Sequence, residues 1–184
     1  MTDNAATSRV EIMAKIATLH QNATRQVWLF GNVSEVNYQV GVQVPTFSFK
    51  QSTLVVGIPK PPLNHQAILR NVLIQIARRY LTNRLQEIAE FCQLSYNTAR
   101  IKEHRSKWGS CSSKKNINLN WRLILLPKSV IDYVLVHELM HLREMNHSAR
   151  FWEWVKNYLP NYKQEENLLK QLTWVLLLYP PPRR

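Results

Sequence analysis

The chain has 184 residues, 45% of them hydrophobic, which suits a folded domain with a true core and argues against a wholly disordered chain. Lys and Arg number 24 against 12 Asp and Glu, a net charge of +12, so the choice lies between an anionic partner and an enzyme that is simply basic. Two cysteines, Cys92 and Cys111, rule out a disulfide framework or a four-cysteine zinc knot and favour a reducing compartment.

The first residues, MTDNAATSRVEIM, carry an early acid and no apolar core of signal-peptide length. No apolar run approaches the roughly 20 residues that span a bilayer, and LTWVLLLY is cut off by Pro180, Pro181 and Pro182. A cytoplasmic protein without membrane association is the expectation. From Arg25 to Ile58, short β-branched and aromatic runs punctuated by Gly31, Gly41, Pro45 and Gly57 read as a small antiparallel sheet. Asn64 can then cap a long helix carrying Ile68, Val72, Ile76, Tyr80 and Leu81, ending near Phe91.

A second β-segment follows. TARIKEH and NINLNWRLILL alternate as strands do, with the basic segment RSKWGSCSSKKN between them, and Pro127 stops the second. Ser129 and Asp132 form an S-x-x-D capping signature for a helix over VIDYVLVHELMHLR. Asn146 or Ser148 can open the next helix, ARFWEWVKNYL, and Asn161 with Gln164 the last one.

The stretch VHELMHLREMNH holds three of the six histidines. His137 and His141, four residues apart on a helix, sit one above the other and can converge on one ion. Glu138 lies about 100° round the helix, where it reaches water beside the metal rather than the metal itself. Chance would yield H-E-x-x-H in roughly one such chain in a hundred, so it is a poor explanation. Catalytic zinc usually takes three protein ligands. His147 would lie about 9 Å further along a straight helix, so the chain must turn first, with Asn146 the best candidate for a left-handed residue. Glu144 is the rival third ligand; His147 is preferred because imidazole is the more usual choice when a turn is available. His20, His65 and His104 have no partner at ligand spacing and are read as structural.

Arg100 to Lys115 contains six basic residues and one acid, with Trp108 among them. Gly109 on a strand edge would let a peptide add as an extra strand, whereas a basic groove with an aromatic would also suit phosphates and bases. Arg105, Lys107, Trp108, Gly109 and Ser110 are therefore the candidate substrate-binding residues, Arg105 or Lys107 serving a developing oxyanion. Cys111 is read as a packing residue, since a fourth ligand would leave no place for water. Phe151 and Val155 are expected to lock their helix against the histidine helix and so hold His147 in place.

HELMH followed by NHSARFW, preceded by RSKWGSCSSKKNINLNWRLILLP and the SVIDYVLVHE helix, resembles the YgjP-like family of metal-dependent hydrolases, related in motif to the SprT-like and WLM zinc peptidases. The resemblance is close over Arg100 to Trp154 and looser before it. It implies that His137, His141 and His147 bind zinc and that Glu138 is the general base.

The expectation is a single zincin-like α+β domain over residues 1–184, a zinc-dependent, metallopeptidase-like hydrolase that uses a metal-activated water. Two other readings stay open. One is hydrolysis of a nucleotide phosphoanhydride clamped by the basic segment; the other is a basic nucleic-acid-binding module with a structural metal.

Overall fold

The computed structural model describes residues 25–60 and 64–180. They group into two compact units, the first comprising residues 25–28, 33–60 and 64–68, the second residues 29–32 and 69–180.

The first unit is built on a sheet of β1 (Gln26–Leu29), β2 (Asn32–Val40), β3 (Thr46–Lys50) and β4 (Thr53–Ile58), in the order β1-β2-β4-β3. Leu54, Val56 and Ile58 alternate into its apolar side. Lys50 and Thr53 face each other across a two-residue hairpin in which Gln51 takes the left-handed φ of 55° that such a turn requires. The hairpin puts β3 outside β4, so β2 meets β4 in parallel, from Glu35 opposite Thr53 to Val40 opposite Ile58. The expected antiparallel sheet is thus mixed.

The second unit holds most of α1 (His65–Phe91), whose start is capped by the Asn64 side chain accepting from the Ala67 N–H at 3.1 Å. Leu69, Leu73, Leu81 and Leu85 are fully buried at helical spacing. A second sheet follows, with β5 (Thr98–Lys102), β6 (Gly109–Cys111) and β7 (Asn116–Asn120) in the order β5-β7-β6. β5 runs parallel to β7 and β6 antiparallel to it.

The strand expected through NINLNWRLILL stops at Asn120. The side chain of Asn120 accepts from the Arg122 N–H and starts a 3₁₀ helix over Trp121–Leu125, while its amide donates to the carbonyls of His104 and Lys107. Trp121 to Leu126 are all buried, so this run carries no alternation to mark a strand.

Next come α2 (Lys128–Met140), α3 (Ala149–Tyr158), α4 (Tyr162–Gln171) and a 3₁₀ turn over Thr173–Leu177. The capping box at Ser129 does not form. α2 starts behind Pro127 without a side-chain cap, the Ser129 hydroxyl donates to Glu165, and Asp132 accepts from Nε and Nη2 of Arg84, each at 2.8 Å. Pro127 supplies the stop by its fixed φ, which frees both polar side chains to tie α2 to other helices. The buried Arg122 donates to the carbonyls of Leu178 and Tyr179 and to Glu103, which Arg70 also reaches, so one carboxylate holds two guanidinium groups. No described helix is long and apolar enough to cross a membrane. Among the described residues, two small sheets with four helices make the fold α+β, as the sequence implied.

Candidate metal centre

His137 lies in the last turn of α2, and His141 is the residue that caps it, with φ −63° and ψ −15°. After Met140 the chain coils through tight turns in which the N–H groups of Leu142, Arg143 and Glu144 return to the carbonyls of Leu139 and Met140. None of residues 142–146 takes a positive φ, so the reversal is made without the left-handed Asn146 that the sequence suggested. Ser148 then caps α3 by accepting from the Phe151 N–H, which leaves His147 in the loop just ahead of that helix.

Through this turn the side chains of His137, His141 and His147 converge, one nitrogen from each lying within 4.8 Å of the others. The Nε2 atoms of His137 and His147 are 3.0 Å apart. His141 Nδ1 donates to the Glu144 carbonyl at 3.1 Å, so its Nε2 is left as the lone-pair donor. Glu144 therefore enters through its backbone; its carboxylate is not among the converging donor atoms. Cys111 is outside the cluster as well, and burial pushes its thiol up to about 11, Glu138 adding to the effect.

Burial, and then the neighbouring His141 and His147, pull the His137 imidazolium down to about 3, so this ring is neutral across the physiological range. Three imidazole nitrogens at such separations fit a zinc ion, for which nitrogens bound at about 2.0–2.1 Å in a tetrahedral array stand roughly 3.3 Å apart. His137 Nδ1 is buried and has no hydrogen-bond partner among the described residues, so this ring is aimed by packing instead. Phe151, fully buried, supplies that packing: its ring centroid is 4.6, 4.8 and 5.0 Å from those of His141, His147 and His137.

Glu138 is 6% exposed, and its carboxylate has no hydrogen bond or ion pair among the described residues. Burial pushes its carboxyl up to about 8, with Lys107 opposing. A desolvated carboxylate without a partner is expensive to maintain, and such groups concentrate where proton transfer is needed. β6 makes room for it. A methyl group on Gly109 would come within 2.6 Å of Glu138 Oε1 and 2.7 Å of its Cγ. Gly109→Ala must therefore displace the carboxylate, and a misplacement near 1 Å costs about 100-fold in rate. The expected outcome is that loss in kcat with metal content unchanged, measured by turnover and elemental analysis of the same preparation.

Of the five candidate substrate-binding residues, Gly109 lies against Glu138, and the charge of Lys107 reaches it. Arg105 is exposed in the loop before β6, and Trp108 is half-buried with its carbonyl accepting from the Asn120 N–H. Ser110 faces the other side of the sheet, where its hydroxyl accepts from Asn118 at 3.3 Å. Two further aromatic rings line the cluster: Tyr133, which went unread in the sequence, and Trp152, which the sequence places with Phe151 as packing. Tyr133, one helical turn before His137, meets it edge-on at 6.0 Å, and Trp152, beside His147 at 5.8 Å, stacks on Tyr162 of α4 at 5.3 Å. The i, i+4 spacing of Tyr133 and His137 was the available signal.

The family model for the YgjP-like, metallopeptidase domain matches residues 6–172. Two solved structures share part of the chain: the metallopeptidase zymogen abylysin of Pyrococcus abyssi, and the metallopeptidase zymogen jannalysin of Methanocaldococcus jannaschii. The first is 23% identical with a TM-score of 0.44, covering 48% of this chain and 90% of its own. The second is 25% identical with a TM-score of 0.42, covering 49% and 91%. No curated protein sequence matches. With the family match spanning nearly the whole chain, the protein belongs to the YgjP-like metallopeptidase family and is a metal-dependent hydrolase.

Proposed function

We propose that this protein is a zinc-dependent peptidase in which His137, His141 and His147 hold the metal and Glu138 is the general base. The observation that carries the reading is the convergence of three imidazole nitrogens within 4.8 Å, with the buried Glu138, one residue after His137 on the same helix, forming no hydrogen bond or ion pair among the described residues. Residues 1–184 are taken to work as one zincin-like domain, because the family match extends across both units.

When bound, zinc would polarise the scissile carbonyl and make water at the site more acidic. Glu138 takes the proton of the attacking water and returns it to the departing amine. His137 stays neutral, and the Glu144 carbonyl keeps His141 in the required tautomer. β6, at the edge of its sheet, can accept an extended peptide as a further strand, with Gly109 letting the Glu138 carboxylate lie against that strand. Lys107 or Arg105 would meet the developing negative charge, Lys107 being the cation whose field reaches Glu138.

That same lysine is the one observation favouring the second reading, hydrolysis of a nucleotide phosphoanhydride. A single preparation separates them. Zinc-loaded protein is expected to cleave an unfolded casein, to stop when a chelator strips the metal, and to resume when zinc is restored. Turnover of nucleoside triphosphate with casein left intact would overturn the peptidase reading.

A further inference from the structure

We propose that the solvent face of the β5-β7-β6 sheet is a nucleic-acid-binding surface that grips the phosphate backbone. Strand alternation divides this sheet sharply. Ile117 and Leu119 are fully buried on one side, the side on which Gly109 meets Glu138. The other side carries Thr98, Arg100 and Lys102 of β5, all exposed, set by register beside Asn116 and Asn118 of β7, with Ser110 of β6 beside Asn118; Asn120, at the end of β7, is buried and spends its amide on the His104 and Lys107 carbonyls. Thr98 donates to Asn116 at 2.8 Å, and Asn118 donates to Ser110 at 3.3 Å, so the strands present one continuous row of amides and hydroxyls. Lys114 and Lys115 stand exposed in the turn between β6 and β7.

The charge on this face is unbalanced. Arg100, Lys102, Lys114 and Lys115 form no ion pair among the described residues, whereas Arg70 and Arg122 share Glu103, Arg84 holds Asp132 and Glu87, and Lys170 holds Glu166. From His104 to Ile131 the chain contains no acid at all, and the whole protein carries +12. Such a face draws a polyanion.

Its chemistry selects the kind. A membrane-binding surface would offer large apolar side chains for insertion, and none of the exposed large hydrophobic residues lies on these three strands. Amides, hydroxyls, guanidinium and ammonium groups match phosphate oxygens and sugars. No aromatic ring belongs to these strands, so the contact is with the backbone and not with stacked bases. This surface goes beyond the peptidase reading and does not depend on it.

The test is fluorescence anisotropy of a labelled 20-base-pair DNA duplex with the full chain between 50 and 200 mM salt. Four basic residues neutralising four phosphates at a slope of about 0.9 each predict an affinity loss on the order of 100-fold over that range. Arg100→Gln/Lys102→Gln should bind more weakly and reduce the loss to about tenfold. Lys156→Gln/Lys163→Gln, which removes equal charge from exposed positions on α3 and α4, should behave as the parent does. Absence of salt-dependent binding, an equal effect of both double variants, or competition by polyglutamate or phosphatidylserine vesicles as effective per charge as duplex would each overturn the proposal. Casein cleavage, followed separately, reports on the peptidase reading alone.

Discussion

Glu138→Gln is expected to lower kcat for peptide cleavage by about 1,000-fold, within the 100- to 10,000-fold range of a general acid–base group, while zinc content stays at the parent level. The amide keeps the size and packing of the carboxylate against Gly109, so the fold and the imidazole cluster should persist. What it loses is the ability to take a proton from water and give it to the leaving amine. The measurement pairs initial rates with elemental analysis. Retained turnover with zinc in place would remove Glu138 from the chemistry; loss of both zinc and turnover would make it a support of the centre instead.

His147→Ala is the second large effect. The loop after α2 brings His147 to within 3.0 Å of His137, and no other described carboxylate, thiol or imidazole joins the cluster. Without it two imidazoles remain, and zinc affinity should fall by more than the 10- to 100-fold typical of losing an outer partner. Wild-type protein should also melt higher with zinc than without, since a ligand at 100 times its Kd adds about 2.7 kcal/mol of stability; the variant should lose that increment at the same zinc concentration. Glu144→Ala keeps the backbone carbonyl that orients His141, and so should retain zinc. The reverse pattern, zinc lost in Glu144→Ala and kept in His147→Ala, would make the carboxylate the third ligand.

Much of this arrangement was legible in the sequence because helical spacing is rigid. The four-position step from His137 to His141 fixes two rings on one face, and the single step to Glu138 turns its carboxylate towards β6. The Asn64 cap and the α1 core positions were legible for the same reason. Where tertiary partners decide, local signals misled. Ser129 and Asp132 have the spacing of a capping box, yet their side chains are claimed by Glu165 and Arg84 on other helices. Asn120 ends β7 because its side chain can cap a 3₁₀ turn and bind two loop carbonyls at once, an option that alternation does not reveal. β2 meets β4 in parallel because the β3–β4 hairpin swings outward, a choice of topology that strand propensity leaves open.

Gly109 falls between these cases. Its place on a strand edge was readable, but the reason that no side chain is tolerated there, the Glu138 carboxylate packed over its Cα, is visible only in three dimensions. Phe151 was read as packing for α3, and its ring also touches all three imidazoles. A fully buried aromatic ring of this kind limits the motion of the histidines as firmly as hydrogen bonds would, which fits a His137 Nδ1 that has no bonding partner among the described residues.

X-ray absorption at the zinc edge of the loaded wild-type protein is the most direct test of the proposed centre. Three histidine nitrogens near 2.0–2.1 Å with one further light-atom position open to exchange is the expected spectrum. A sulfur at about 2.3 Å, or a fourth protein ligand that no added inhibitor displaces, would mean a closed structural site and would contradict hydrolysis at this metal.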